Sequence, residues 1–378
     1  MTDRDDFLRD RFRQAPPPPR GYPTDPPAGG RYAAGPPTER IPRIPPPQAP
    51  PPGGPWGYPP PHSVPPLPSR QPAGRPSRPP KPRPKGGWRA ALYTATFGVL
   101  NPGPSPHERR GAYLESIVAA PLRGHYKVGV LGKGGVGKTT VAASVGSVFA
   151  ELRHNDRVVA VDADTAFGRL GSRIDPRAGG SYWELASEKN LQTFADLRTR
   201  VGNNSAGLYV LAGESGSRRR LLDPAVYREA TMRLDRHFTI SIVDCGSTMD
   251  APVTQEALRD MDALVVVSSP WADGASAAAQ TMEWLAVNGK TGLLQRSVVV
   301  LNDSDGHADK RTRGVLAEQF RSRGQAVVEV PFDPHLRPGG VIDVTSEMSP
   351  ATRQRFVEIA ATLTQYFAVL PERGPERR

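Results

Sequence analysis

From Tyr126 to Leu370 the chain repeats one pattern, a short, mainly apolar run followed by a polar or glycine-rich break and then a helical periodicity. The apolar runs are Val128–Leu131, Arg157–Val161, Leu208–Leu211, Thr239–Val243, Ala263–Val267, Ser297–Leu301 and Ala326–Val330. Each is too short for a buried helix and is predicted to be a strand; Arg157–Val161, Ala263–Val267 and Ser297–Leu301, whose apolar residues run on without alternation, read as the buried type covered on both faces. Helical periodicity lies between them, as in Val141–Leu152, and the last segment carries Phe356, Ile359, Ala360, Leu363, Tyr366 and Phe367 at helical spacing. The prediction is an α/β fold, a mostly parallel sheet of about seven strands wrapped by helices. Polar loops follow the strands, which puts candidate functional residues along one edge of the sheet.

The first third of the chain lacks this pattern. Residues 15–87 are dominated by Pro, Gly and Arg, and 29 of the 43 prolines precede residue 85. So little apolar surface cannot offset chain entropy, which predicts disorder with polyproline II character over residues 1–87. The segment is either a spacer or, through Tyr22, Tyr32, Trp56 and Tyr58, a ligand for a groove that reads proline-rich chains. A helical linker is expected over 88–122, with one helix from Trp88 to Leu100 and another from His107 to Ala119. The folded domain then spans 123–370, and 371–378 form a polar tail.

Charge sharpens this division. Through Arg89 there are 15 Lys/Arg against six Asp/Glu, a balance of +9, so only +2 of the total +11 belongs to the rest. Seven cations and no acidic residue lie between Arg70 and Arg89, beside the aromatic Trp88–Leu100 run. Such a segment could meet anionic lipid, nucleic acid or a protein partner. The expectation adopted is plainer, a helix packed on the folded domain with the basic run keeping the tail solvated. One cysteine, Cys245, excludes an intramolecular disulfide or a cysteine zinc cluster. The charged N-terminus lacks the apolar core of a signal peptide and no run is long enough to span a bilayer, so a cytoplasmic location is expected.

The strongest local signal is Lys127–Thr140, which joins a strand, a glycine loop and a helix start. Gly132, Gly134, Gly135 and Gly137 let the backbone curl around an anion, and the helix N-terminus behind them favours negative charge. The spacing of Gly132 from Gly137-Lys138-Thr139 matches the loop that cradles nucleotide phosphates. Lys138 is placed for the β/γ-phosphates, Thr139 for Mg²⁺, and Val136 and Thr140 complete the cradle. Asp244 ends an apolar strand and is the candidate carboxylate of the Mg²⁺ shell, where a hard oxygen is needed. Asp162 and Asp164 follow another strand; they either act at the phosphate site or cap the next helix.

Lys133-Gly-Gly-Val-Gly-Lys-Thr-Thr140 resembles the deviant Walker A motif of MinD/ParA ATPases. The resemblance covers about residues 123–369 and implies ATP and Mg²⁺ as ligands and an ATP-dependent homodimer. It implies that Lys133 reaches the nucleotide held by the partner subunit, and that Asp164 orients the attacking water while Asp162 supports the loop or metal shell. Asn302, after a buried strand, matches the family's adenine-recognising asparagine, and Pro331 and Asp333 match its late Pro-x-Asp loop. Asn302 is equally an ordinary turn former. After Asp244 the chain reads Cys-Gly-Ser-Thr-Met-Asp250 where relatives carry prolines, so switch II is altered, although the Gly246 N–H could still serve a γ-phosphate.

The layout also resembles proline-rich MinD-like proteins encoded with actinobacterial type VII (ESX) secretion systems. The match rests on the Pro/Arg tail, Gly87-Trp-Arg-Ala-Ala-Leu-Tyr93 and Asn101-Pro-Gly-Pro-Ser-Pro106. It implies a nucleotide-dependent switch acting on a secretion component through the tail, with a partner recruiting the protein to the inner face of the membrane. Two other readings are an adaptor that binds nucleotide with negligible turnover and a ParA-type partitioning ATPase. The latter would hold non-specific DNA through the tail or Arg218, Arg219 and Arg220. Pro371–Arg378 offers no apolar residue for a membrane anchor at the C-terminus.

Overall fold

The computed structural model describes residues 82–84, 86–164, 168–188, 190–213 and 220–370. The expected tails, Arg218 and Arg219 lie outside the described residues.

The apolar runs form one sheet: β1 (Tyr126–Gly132), β2 (Val158–Ala163), β3 (Gly202–Asn203), β4 (Tyr209–Leu211), β5 (Ile240–Cys245), β6 (Ala263–Ser268), β7 (Ser297–Asn302) and β8 (Ala326–Val330). Their order is β3-β4-β2-β5-β1-β6-β7-β8. All pairings are parallel except β3 with β4. Among the described residues the sheet has eight strands, one beyond the seven apolar runs. β3 is two residues long and has no apolar run to announce it; it pairs because the chain turns back through Asn204 and Gly207 onto β4.

Each unbroken apolar run divides its side chains between two faces. Val158 and Ala160 point to one core and Val159 and Val161 to the other. Four helices cover the first face: α2 (Pro106–Val118), α3 (Lys138–Leu152), α4 (Leu170–Ile174) and α12 (Pro350–Ala368), preceded in the chain by α1 (Gly87–Ala95). The second face carries α5 (Tyr182–Ser187), α6 (Phe194–Arg198), α7 (Pro224–Asp235), α8 (Pro252–Ala257), α9 (Ala272–Val287), α10 (Thr291–Gln295) and α11 (Lys310–Arg321).

α12 is core packing, as its periodicity predicts: Phe356, Ile359, Ala360, Leu363 and Phe367 are buried, and Phe367 stacks on Tyr126 at 4.6 Å. α2 joins it. A capping box at Ser105 and Glu108 starts this helix, Val118 enters the core, and Glu115 accepts from Arg353 at 3.0 Å.

α1 departs from expectation. It stops at Ala95 and buries none of its residues. Arg89 donates to the Pro102 and Gly103 carbonyls at 3.2 and 3.4 Å, and the Gly86 N–H donates to Glu108 at 2.9 Å. These bonds tie α1 to the linker and to the start of α2, so its apolar residues are not spent on the domain core.

Candidate functional site

β1 lies between β5 and β6 at the centre of the sheet, so whatever leaves its C-terminal end is held from both sides. Here the loop from Gly132 to Gly137 leads into α3. Gly132 sits at φ 151°, and a side chain there would collide with the Val267 carbonyl oxygen of β6. Gly137 caps α3 at φ 94°, against the Asn302 amide. These positions require glycine for close approach and for left-handed backbone respectively. The loop's form is thus set by its neighbours as much as by its own sequence.

Lys138 opens α3, is buried, and donates Nζ to the Lys133 carbonyl at 3.3 Å. Thr139 donates its hydroxyl to Asp244 Oδ2 at 2.6 Å. Asp244 is fully buried and its second oxygen, Oδ1, has no hydrogen-bond partner. Register places Asp162 of β2 beside Asp244 of β5. Burial first, then the neighbouring Asp162, pushes the Asp244 carboxyl up to about 8, against a smaller opposing pull from Thr139 and Lys138. A buried acid with one orphaned oxygen beside a hydroxyl is what a divalent cation would repair. Among the described residues no cluster of three or more His, Cys, Asp or Glu could hold a metal alone. One carboxylate oxygen and one hydroxyl are a donor set that fits Mg²⁺, which takes few protein ligands and completes its shell with phosphate and water.

Asp162 does something different from Asp244. Its Oδ1 accepts from the Asp164 N–H at 3.2 Å and its Oδ2 from the Leu170 N–H at 2.9 Å, while Tyr182 donates to its carbonyl at 2.7 Å. It braces the loop that carries Asp164. Asp164 comes near the segment after β5 at Gly246, where an added Cβ would lie 3.7 Å from Asp164 Oδ1.

Lys133 points away from its own loop to Asp273 in the first turn of α9, at 2.9 Å. The pair is exposed. The bond from Lys133 holds the Asp273 carboxyl below its usual range.

Beyond the loop lies a cavity of about 350 Å³, lined by Thr139, Thr140, Arg173, Asn302, Phe332 and Asp333 among others. Asn302 is buried and donates its amide to the Val136 carbonyl at 2.9 Å, clamping the glycine loop from the cavity wall. Asp333 accepts from the His335 and Ser349 N–H groups, each at 3.0 Å, so it shapes the loop after β8. Sequence reasoning missed Arg173. Its guanidinium is buried and donates to the Gly340 and Leu336 carbonyls at 2.7 and 2.9 Å and to the Thr140 hydroxyl at 3.1 Å. Burial lowers its pKa. One arginine thus links α3 to the loop on the far side of the cavity, and no local motif marks it. Asp273 was missed for the same reason. Arg220, one of the three arginines considered for DNA, lies over the Trp183 ring at 4.5 Å.

The family model described as the CobQ/CobB/MinD/ParA nucleotide binding domain matches residues 129–340. The chain is 33% identical over 286 residues to the ESX-1 secretion-associated protein EspI of Mycobacterium tuberculosis, an alignment covering 74% of this chain. It spans only 42% of that relative's length. An uncharacterized ATP-binding protein of Methanocaldococcus jannaschii is 27% identical over 237 residues, 61% of this chain and 84% of the relative. Among solved structures, a ParA family ATPase from Chlorobium tepidum superposes with a TM-score of 0.51 at 20% identity, covering 63% of this chain and 98% of that one. The cell division ATPase MinD of Pyrococcus furiosus gives 0.50 at 22% identity, covering 64% and 98%.

Proposed function

Because the chain belongs to the CobQ/CobB/MinD/ParA nucleotide-binding domain family, we propose that it binds and slowly hydrolyses ATP and works as a nucleotide-dependent dimer switch. The observation that carries this reading is the 2.6 Å bond from Thr139 to a buried Asp244 whose other oxygen has no partner, directly below a glycine loop with Lys138. The loop amides and Lys138 hold the polyphosphate, and the 350 Å³ cavity beside Asn302 accommodates the nucleoside. Thr139 and Asp244 are the residues that would hold Mg²⁺ beside the phosphates. When bound, the ion neutralises phosphate charge and offsets the burial of Asp244.

Asp164 then orients water toward the γ-phosphorus, and Asp162 keeps that loop in place through its two backbone bonds. Lys133, exposed on the rim, is the residue available to a second subunit once it leaves Asp273. Attack of water releases ADP and phosphate, and loss of the γ-phosphate loosens the pair. The altered switch II after Asp244 supports slow turnover under partner control. The 33% identity to part of an ESX-1 secretion-associated protein supports a role for the switch in type VII secretion, with the Pro/Arg tail as tether.

The test is titration calorimetry with Mg·ATP, followed by sedimentation and phosphate release. Lys138→Ala is expected to abolish the binding heat. Asp164→Ala is expected to keep ATP-dependent dimers while phosphate release falls at least about a hundredfold, the scale on which positioning of a nucleophile acts. No heat from the wild-type chain would end the proposal, and undiminished release from the Asp164 variant would remove that residue from it.

A further inference from the structure

The helix and turn before the domain carry apolar surface that the fold does not use. Phe97 is 97% exposed, Val99 84%, Trp88 67% and Leu100 54%. These residues are not on a frayed end. The Gly98 N–H donates to the Tyr93 carbonyl at 2.8 Å, and the Phe97 N–H to that of Thr94 at 3.1 Å. Thr96 closes the turn, donating its hydroxyl to the Leu92 carbonyl at 2.8 Å and accepting from the Leu100 N–H at 3.2 Å. This is the paired-bond helix ending in which one residue takes the left-handed conformation, a place that favours glycine.

Here that residue is Phe97, at φ 49°. It is the sole non-glycine residue with positive φ among the described residues. An aromatic side chain held in disfavoured backbone, with almost all of its surface in water, gains nothing for the folded chain. Such an outlier points to a use outside it.

The surrounding charge selects the partner. From Arg40 to His107 the sequence contains nine Lys/Arg and no Asp/Glu, and Arg83 and Arg89 flank the helix directly. Cations beside exposed aromatic and aliphatic side chains match an anionic surface with an apolar layer beneath it. Nucleic acid would accept the arginines and stack a Trp or Phe, but it offers no matching site for Val99 and Leu100.

We propose that residues 86–100 form a peripheral membrane-binding element, with Trp88, Phe97, Val99 and Leu100 entering the headgroup boundary and the neighbouring cations drawing it to anionic headgroups. The element sits N-terminal to the ATPase domain and is independent of the nucleotide site. Since α1 is hydrogen-bonded to the start of α2, which packs into the domain, docking here holds the switch near the bilayer.

Co-sedimentation of the full chain with vesicles of pure phosphatidylglycerol or pure phosphatidylcholine tests this. The wild-type chain is expected to pellet with the first and not the second. Phe97→Gly removes the side chain and relieves the left-handed strain, so its thermal midpoint should be no lower than wild type, yet its partition should fall about tenfold. The combined Val99→Ser, Leu100→Ser variant should show a similar loss at unchanged ATP affinity. Charge reversal at Arg83 and Lys85 should also release the protein from vesicles. The proposal is overturned if the wild type fails to pellet, if it pellets equally with both lipids, or if charge reversal alone matters while the apolar variants bind normally. Competition by double-stranded DNA that survives the apolar substitutions would assign the surface to nucleic acid instead.

Discussion

The two ends of the central strand pair β1 and β5 both bury charge, and they treat it in opposite ways. At the N-terminal end, Lys127 is 1% exposed, but its ammonium meets Asp235 at 2.8 Å and Asp260 at 2.6 Å, while its N–H donates to Asp262. Burial pulls the Lys127 pKa down; the two carboxylates outweigh it, and the net shift is upward. Asp235 moves the other way, burial being outweighed by His125 and Lys127, and its pKa falls. Each group there stabilises the charge of the next. At the C-terminal end Asp244 has burial and Asp162 against it, and its pKa rises to about 8. Burial alone does not distinguish a functional carboxylate from a structural one; the lack of a compensating partner does.

The largest expected effect that would break this contrast is at the closed end. Lys127→Ala leaves two carboxylates facing an uncompensated space and should cost about 3–5 kcal/mol in urea unfolding, because half of a buried pair is removed. Mg·ATP affinity of the folded fraction should be unchanged. An unaltered unfolding curve would show that this end is not held by its ions.

The next effect is a pH dependence, with its sign set by the two sets of shifts. Asp244 has a folded pKa above its unfolded value of 3.8, so the native state holds the extra proton between about 4 and 8. Stability should therefore fall as pH rises through that window, by at most about 1.4 kcal/mol per pH unit, and by about 2 kcal/mol between pH 6 and 8. Lys127, raised above 10.5, contributes stability that is lost only in strong alkali, and Asp235, lowered below 3.8, contributes stability lost only in strong acid. The closed end is thus flat where the open end slopes. Thermal midpoints of Asp244→Asn should lose the slope, and Mg·ATP should suppress it in the wild type. A slope that survives Asp244→Asn belongs to another group.

The smallest effect is at the rim. Lys133 and Asp273 are about half and two-thirds exposed, and a pair of that kind is worth less than about 1 kcal/mol. Asp273→Ala should leave the unfolding midpoint within that margin while changing the ATP concentration needed for dimers, read by sedimentation. A large stability loss would make the contact structural.

The strands were legible because seven of them are short, mainly apolar runs, and the phosphate loop because glycine, lysine and threonine spacing is a property of adjacent residues. β3 was not legible, since two residues pair only after β4 gives them an edge. The α1 expectation failed because amphipathic periodicity says that a helix has an apolar face and not whether anything covers it.

The chain alone therefore determined the layout, the loop and the identity of Asp244, Asp162 and Asp164 as candidates, because each is written in local order. Only the tertiary structure separated Asp244, orphaned beside Thr139, from Asp162, bonded to two backbone amides. It alone brought Arg173 and Asn302 around one cavity and left Phe97 in water. The reason is that hydrogen-bond satisfaction and burial depend on residues far apart in the chain, and no spacing rule within a segment encodes them.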